Sequence, residues 1–100
     1  MNKIGQVTFE GWNCDVILES YLLSGRKRIV LVDSDSNEDI LFATIDLPEV
    51  DLLENEVMIV VYPENKKVYD VLFQAKIVSK LKKSFAFLYF RVIVCELLIK

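Results

Sequence analysis

The stretch from Cys14 to Leu22 alternates from residue to residue in the way that a half-buried β-strand requires. One face of the alternation carries Cys14, Val16, Leu18, Ser20 and Leu22, and the other carries Asp15, Ile17, Glu19 and Tyr21. Successive side chains of a strand point to opposite faces of a sheet, whereas a helix repeats every 3.6 residues. The pattern therefore predicts a strand. Because a strand is stable only when it pairs with others, the chain is expected to form a sheet that includes it.

Further strands are predicted where β-branched and aromatic residues lie between turn signals. Turns are expected at Glu10-Gly11, at Ser24-Gly25-Arg26 and in the polar run 34–38, whose side chains can bond their own backbone. The strands are predicted at residues 6–9, 14–22, 27–33, 39–47 and 57–62. The continuous apolar character of 57–62 predicts a central strand covered on both faces, and the apolar C-terminus is read as one long strand.

A single helix is predicted at about residues 64–75. Pro63 suits a first helical position, Asn65 is a favoured cap, and Glu64 complements the positive end of the helix dipole. An apolar stripe at helical spacing follows, formed by Val68, Val71, Leu72 and Ala75. The expected fold class is α+β, a curved antiparallel sheet of five to seven strands with this helix packed against it.

The 100 residues, of which 53% are hydrophobic, predict a single domain spanning 1–100 with one core. Histidine is absent, which excludes His-based catalytic triads and His metal ligands. Cys14 and Cys95 are too few for a disulfide framework or a four-ligand zinc site. We expect two reduced, half-buried thiols, although a single disulfide between them stays open at this point.

No segment has the character of a signal peptide or a membrane anchor. Residues 1–6 lack the apolar core and the cleavage site of a signal peptide. The apolar stretch 85–99 is shorter than the ~20 residues of a spanning helix and contains Arg91. Its β-branched and aromatic residues favour one or two buried strands. The expected location is the cytoplasm.

The charges are segregated along the chain. The net charge is −3, but residues 29–65 contain ten carboxylates and neither Lys nor Arg, whereas residues 66–83 contain six lysines and only Asp70. Such like charges repel each other. Turn chemistry or a self-neutralising surface could account for them. The alternative is an acidic patch that binds a basic partner and imitates DNA phosphates, since same-face strand residues rise about 6.8 Å and two nucleotides along one DNA strand rise about the same.

The acidic turn at 33–39 is the other candidate for chemistry. It begins like a calcium loop, but Glu38 stands where the sharp turn needs Gly, and Thr44 stands where a bidentate Glu is needed. Asp33 and Asp35 could act as a carboxylate pair only in a pocket, and a hairpin places them in solvent. No phosphate loop, dinucleotide fingerprint or nucleophile elbow is present. We therefore expect no enzyme, no cofactor and no metal.

Lysines near the C-terminal third offer a different interpretation. Lys76, Lys80, Lys82 and Lys83 lie close to Phe85 and Phe87, a combination that could bind phosphates and stack on bases. A pI of about 4.9 argues against it, and a lysine-rich edge also protects a sheet from unwanted pairing.

Five short blocks along the chain form a pattern: Phe9-Glu10-Gly11-Trp12-Asn13-Cys14, Gly25-Arg26, Ala43-Thr44-Ile45-Asp46-Leu47-Pro48, Glu56-Val57-Met58-Ile59 and Tyr62-Pro63-Glu64-Asn65. In order and spacing these blocks resemble a small-domain family carried by phages, plasmids and integrative elements of Firmicutes and gut bacteria. The chain departs from the pattern at Lys66-Lys67, where the family has Gly after Glu-Asn. The resemblance implies a mobile-element origin but no active-site residues. Small acidic proteins of mobile elements often disable host defence, as anti-CRISPR proteins do.

The charge pattern predicts a non-enzymatic, acidic protein-binding inhibitor, and the resemblance implies that it comes from a mobile element and acts as an anti-CRISPR protein. Its partner would be a host defence protein with a basic nucleic-acid-binding surface, such as an RNA-guided nuclease. The predicted partner-binding residues are Asp33, Asp35, Glu38, Asp39, Glu49, Asp51 and Glu54. The alternatives are a regulatory or structural module that dimerises through the apolar C-terminal strand, and a nucleic-acid-binding protein that uses the lysines of 76–83.

Overall fold

The structure is a computed structural model that describes residues 2–98. Within these residues, seven strands and one α-helix follow each other, so the α+β class is confirmed. The elements are β1 (Asn2–Phe9), β2 (Trp12–Ser20), β3 (Lys27–Asp33), β4 (Asp39–Phe42), β5 (Glu56–Val61), α1 (Val68–Gln74), β6 (Lys83–Phe87) and β7 (Phe90–Glu96).

The first four strands form an antiparallel sheet in chain order, β1-β2-β3-β4. β1 is longer than the predicted 6–9, because Asn2 and Lys3 continue the pairing to Leu18 and Ile17 beyond a bulge. Glu10 and Gly11 join β1 to β2 with positive φ angles of 49° and 83°. Two such angles in a two-residue connection match the right-handed twist of the flanking strands, so the hairpin is tight.

The connection between β2 and β3 is also ordered by hydrogen bonds. The Tyr21 N–H donates to the Arg26 carbonyl and the Gly25 N–H to the Tyr21 carbonyl, both at 2.9 Å. Gly25 has a φ of 73°, which its missing Cβ permits. Leu22 and Leu23 at the tip are fully exposed.

The predicted strand 39–47 is wrong in its second half, because the chain changes sheets there. β4 ends at Phe42, and the Ala43 N–H still donates to the Ile29 carbonyl of β3. The Ala43 carbonyl then accepts from the Val60 N–H of β5, also at 2.9 Å, and Thr44 pairs with Ile59. A periodic sequence pattern does not reveal this change of partner. The molecule therefore contains two sheets instead of the single curved sheet expected.

The second sheet has the order β5-β7-β6 and is antiparallel throughout. β5 is buried as predicted but is not central, since β7 occupies the middle of the sheet. The predicted single C-terminal strand is wrong: it is a hairpin of β6 and β7. Its turn contains the exposed Leu88, which has a φ of 56°. Because this left-handed position is occupied by leucine and not by glycine, the sequence contains no turn signal here.

The helix is shorter than predicted. Pro63–Asn65 forms a single 3-10 turn, and α1 begins only at Val68. Val68 and Leu72 are buried, whereas Ala75 follows the helix and is exposed, so the apolar stripe is narrower than expected. After the helix the chain is extended and pairs at Val78 with Leu97.

Three apolar clusters lie among the described residues, and the smallest consists of Ile17, Val30 and Val32 on the first sheet. The two larger ones hold the fold together. The larger lies between the two sheets and α1, and includes Leu31, Ile59, Leu72 and Cys95. The smaller lies on the other face of the second sheet, where Met58, Val60, Phe90, Val92 and Val94 are covered by side chains of residues 45–52. The connection from β4 to β5 is therefore part of the core structure.

Candidate protein-binding surface

The seven predicted binding residues lie in two groups at opposite ends of β3. Asp33, Asp35, Glu38 and Asp39 belong to the turn that follows β3, whereas Glu49, Asp51 and Glu54 lie on the connection to β5. That connection contacts Arg26, which immediately precedes β3, through hydrogen bonds to the Leu47 and Val50 carbonyls. Seven strand residues span about 20 Å. The seven carboxylates therefore do not form one continuous patch.

The turn after β3 owes its shape to Asp33, the first of the predicted residues. One Asp33 carboxylate oxygen accepts the Asp35 N–H at 3.0 Å, and the other accepts the Ser36 hydroxyl at 3.1 Å. The Asn37 N–H donates to the Asp33 carbonyl, and the Asp33 N–H donates to the Glu38 carbonyl. Asp33 is thus used within the turn, as expected for aspartate in turns.

A second turn lies against the first one. The Ser34 N–H donates to the Asn13 carbonyl at 2.9 Å, and the Ser34 hydroxyl donates to the Asp15 carboxylate at 2.9 Å. These bonds fasten the β3–β4 turn to the β1–β2 hairpin. Trp12, the chain's only tryptophan, stands at this hairpin with half of its surface exposed. We call Glu10, Trp12, Asp35, Glu38 and Asp39 the acidic end.

The carboxylates of the acidic end are not neutralised by neighbours within the chain. Asp35, Glu38 and Asp39 are exposed, and within residues 2–98 they make no ion pair with a lysine or arginine. Asp15 on β2 differs, because Gln6, Ser34 and Lys3 all contact it. The Gln6 hydrogen bond, followed by that of Ser34, holds the pKa of Asp15 below its usual value. Asp35, Glu38 and Asp39, together with the exposed Glu10, thus remain without an ion pair in the described part of the chain and are available to a partner.

The opposite end contains carboxylates that the chain itself neutralises. Arg26 contacts Asp46 at 3.3 Å, and Lys82 contacts Glu56 at 2.9 Å and Glu96 at 3.6 Å. The Leu53 N–H, followed by Lys82, holds the pKa of Glu56 below its usual value. The self-neutralising interpretation therefore describes Asp46 and Glu56. Glu49, Asp51 and Glu54 are exposed beside them.

The alternative surfaces are less well formed. Lys82 is occupied by its two glutamates, and Phe85 and Phe87 pack against the smaller apolar cluster instead of presenting their faces to bases. The apolar C-terminal strand suggested for dimerisation is β7, whose two edges are already paired with β5 and β6. An edge-to-edge dimer of the second sheet would have to use β6.

Both cysteines are free thiols inside the larger cluster. Burial raises the pKa of Cys95 to about 12. Burial, followed by the carboxylates of Asp33 and Asp15, also raises the pKa of Cys14. A raised pKa lowers the thiolate fraction, so neither group is prepared for nucleophilic chemistry.

Between residues 2 and 98, no three side chains of His, Cys, Asp or Glu form a group suited to a metal ion. The one helix described in that range is α1, with seven residues, and no helix there reaches the length and apolar character of a membrane span.

Sequence reasoning missed Glu10 and Trp12 as parts of a surface. The signal was available, since a tryptophan beside a glycine turn is unusual for a core residue, but only the contact between two turns places it near Asp35. Comparison of the chain with protein-family models, curated proteins and solved structures found no match.

Proposed function

We propose that this protein is a non-catalytic inhibitor that binds a basic, nucleic-acid-binding surface of another protein through its acidic end. The observation that supports this most directly is the position of a half-exposed Trp12 on the same pair of turns as three carboxylates without ion-pair partners. Tryptophan is strongly enriched among residues that dominate binding energy. Carboxylates beside it would select lysine and arginine on the partner.

The rigidity of the two turns supports the same proposal. Asp33 and Ser34 fix the shape of the acidic turn and fasten it to the β1–β2 hairpin before any partner arrives. A surface that is already ordered loses less conformational entropy on binding. The indole ring can also receive an arginine guanidinium on its face, which adds a cation–π contact. Binding of this kind needs no catalytic group.

The partner class follows from the charge and from the sequence resemblance. Proteins that hold nucleic acid present clustered Lys and Arg to phosphates, and a group of carboxylates can occupy those side chains. RNA-guided nucleases combine such a channel with arginines that read the motif beside the target. The resemblance to mobile-element proteins makes these nucleases the first partners to test and makes the protein a proposed anti-CRISPR protein acting in the cytoplasm.

The test compares two triple variants with the same change in net charge. D35K/E38K/D39K reverses the acidic end, and E49K/D51K/E54K reverses the exposed carboxylates at the opposite end. Each is added to a panel of purified RNA-guided nucleases of the Cas9 type, and target-DNA cleavage and direct binding are measured. We expect inhibition by wild type and by the second variant, and an affinity loss of about 100-fold or more for the first, as for several desolvated charge pairs.

The outcomes divide clearly. If both variants lose binding equally, overall charge rather than the acidic end determines the interaction, and the proposed surface is wrong. If the wild-type protein neither binds nor inhibits any member of the panel, the nuclease assignment is wrong. W12A should weaken binding by about tenfold or more while lowering the salt dependence little, because it removes an apolar anchor.

The alternative of a homodimeric regulatory module is tested separately. Light scattering at two protein concentrations distinguishes a monomer from a dimer. A mass that doubles with concentration would favour the module. Salt-sensitive DNA binding in a gel shift, lost on replacing Lys76, Lys80 and Lys83, would favour the nucleic-acid-binding alternative.

A further inference from the structure

β1 is an edge strand with one open side. It pairs with β2 over the whole of Asn2–Phe9, and among residues 2–98 no main-chain group on another segment pairs with its outer edge. An open edge presents a row of N–H and C=O groups that can accept another strand. Proteins usually shorten or charge such edges, yet this one is eight residues long and contains a single charged residue, Lys3.

A groove runs between this edge and α1. It is about 400 Å³ in volume and is mainly apolar. Its strand side is formed by Gln6, Val7 and Thr8, and its helix side includes Val71 and Ala75. At Gly5 the strand lies close to the segment that follows α1: a Cβ on Gly5 would lie 3.2 Å from the Ile77 side chain. The groove lies beyond this point, along residues 6–8.

The groove continues past the end of β1. A second cavity of about 390 Å³ extends to Phe9 and Pro63, and it shares Thr8, Lys67 and Val71 with the first. Together the two cavities follow four consecutive strand residues, 6–9. This length corresponds to about 13 Å of extended chain.

The open edges of β4 and β6 differ from that of β1 in ways that favour β1. β4 has four residues and begins with Asp39, β6 has five and begins with Lys83, and neither strand lines the groove beside α1. Lysine at an edge is a common protection against pairing. β1 by contrast combines unpaired main-chain groups with an apolar wall, which is the arrangement by which extended peptides add a strand to a sheet.

We propose that the groove between β1 and α1 binds an extended segment of a partner protein as an additional strand of the first sheet. Main-chain hydrogen bonds to residues 6–8 hold the segment. Its short apolar side chains at alternate positions enter the groove against Val7, Val71 and Ala75. Lys67 and Asp70 stand together on the helix wall of the first cavity, so this part of the groove carries no net charge and the interaction there depends little on salt.

This inference does not depend on the acidic end. Binding at the acidic end requires Asp35, Glu38 and Asp39 and falls steeply with salt, whereas strand addition at β1 requires none of the three. Failure of either proposal therefore leaves the other unaffected, and the salt dependence distinguishes them in a single titration.

The experiment pans a phage-displayed library of random dodecapeptides against the intact protein and follows the enriched peptides by NMR. Two exposed alanines give matched variants. A75R places a large side chain in the groove, and A86R places the same side chain on β6, an edge strand of the second sheet that lies outside the groove. We expect enriched peptides with small apolar residues at alternate positions, and amide shifts with slowed hydrogen exchange at residues 6–8. A75R should weaken binding by about tenfold or more and A86R by less than about twofold.

Three results would overturn the proposal. The first is the absence of any enriched peptide, and the second is a peptide whose amide shifts centre on β6 or on the acidic end. The third is equal binding by A75R and wild type. Thermal unfolding of both variants confirms that each is folded, so a loss of binding by A75R alone reports on the groove.

Discussion

The two ends of β3 use carboxylates in opposite ways. At its C-terminal end the chain leaves Asp35, Glu38 and Asp39 free, and arranges them on a turn that Asp33 holds in shape. At its N-terminal end Arg26 and Lys82 neutralise Asp46 and Glu56. An acidic stretch can therefore be partly structural and partly available to a partner. Counting charges along the sequence does not distinguish the structural carboxylates from the available ones.

The largest expected effect concerns Arg26 at the N-terminal end. Its guanidinium donates to Asp46 at 3.3 Å, to the Leu47 carbonyl at 2.9 Å and to the Val50 carbonyl at 2.6 Å. These bonds hold the connection that covers the smaller apolar cluster. R26M should lower the free energy of unfolding by about 2–3 kcal/mol, because three hydrogen bonds of a charged group are lost and the Val50 carbonyl loses its donor.

Urea denaturation measures this loss, and the neighbouring K27M is the control. Lys27 makes no ion pair within residues 2–98, so K27M should stay within about 0.5 kcal/mol of wild type. Equal losses for the two variants would mean that Arg26 contributes no more than an ordinary surface lysine.

The next effect concerns Thr44, where the chain passes from one sheet to the other. Its hydroxyl oxygen is 2.9 Å from the Tyr21 hydroxyl and accepts the N–H of the fully buried Ile29 at 3.2 Å. T44V leaves that N–H without a partner, which costs about 1–3 kcal/mol. T44S keeps the hydroxyl and should unfold at nearly the wild-type urea concentration. If the serine variant loses as much as the valine variant, the hydroxyl is not the cause.

The contribution of Glu56 to the free energy of unfolding depends on pH. Because its pKa is lowered on folding, its contribution to stability is fully present above the ordinary pKa of 4.5 and is lost as pH falls through the folded value. E56Q should be about 1 kcal/mol less stable than wild type at pH 7, with the gap closing below about pH 4. Denaturation at a series of pH values checks this. A gap that stays constant down to pH 2 would contradict a role for the carboxylate charge.

The smallest expected effect on stability is at the acidic end. D35K/E38K/D39K removes like charges that repel each other, and none of the three makes an ion pair in the part of the chain described. The free energy of unfolding should therefore change by less than about 0.5 kcal/mol per substitution, with a gain at low salt. A large loss of stability would show that these carboxylates are structural, as at the other end of β3.

The sequence predicted local structure best where one residue carries a local signal. Gly11 and Gly25 marked the two tight connections, and Asp33 with Ser36 marked the acidic turn, because these residues bond or bend the backbone near themselves. It failed where the decisive contact is distant. Leu88 turns the chain without glycine because Phe87 and Phe90 pair across the β6–β7 hairpin.

The candidate surface divides in the same way. The exposure of Asp35, Glu38 and Asp39 could be predicted from turn chemistry, and the absence of histidine alone removed a large class of active sites. The position of the Trp12 hairpin against the acidic turn could not be predicted, since it depends on the bond from Ser34 to Asn13, 21 residues apart in the chain. The same holds for the groove, which exists only because α1 packs beside β1.

Side-chain period and composition act over a few residues, and they suffice to predict the α+β class, the strand-rich core and the separation of acidic and basic segments. Three features appear only in the folded chain. These are the two sheets of the described residues, the division of the acidic segment between two ends of the molecule, and the open edge of β1. Those features depend on which distant main-chain groups become hydrogen-bond partners. Ala43 illustrates the reason: its N–H bonds to one sheet and its carbonyl to the other.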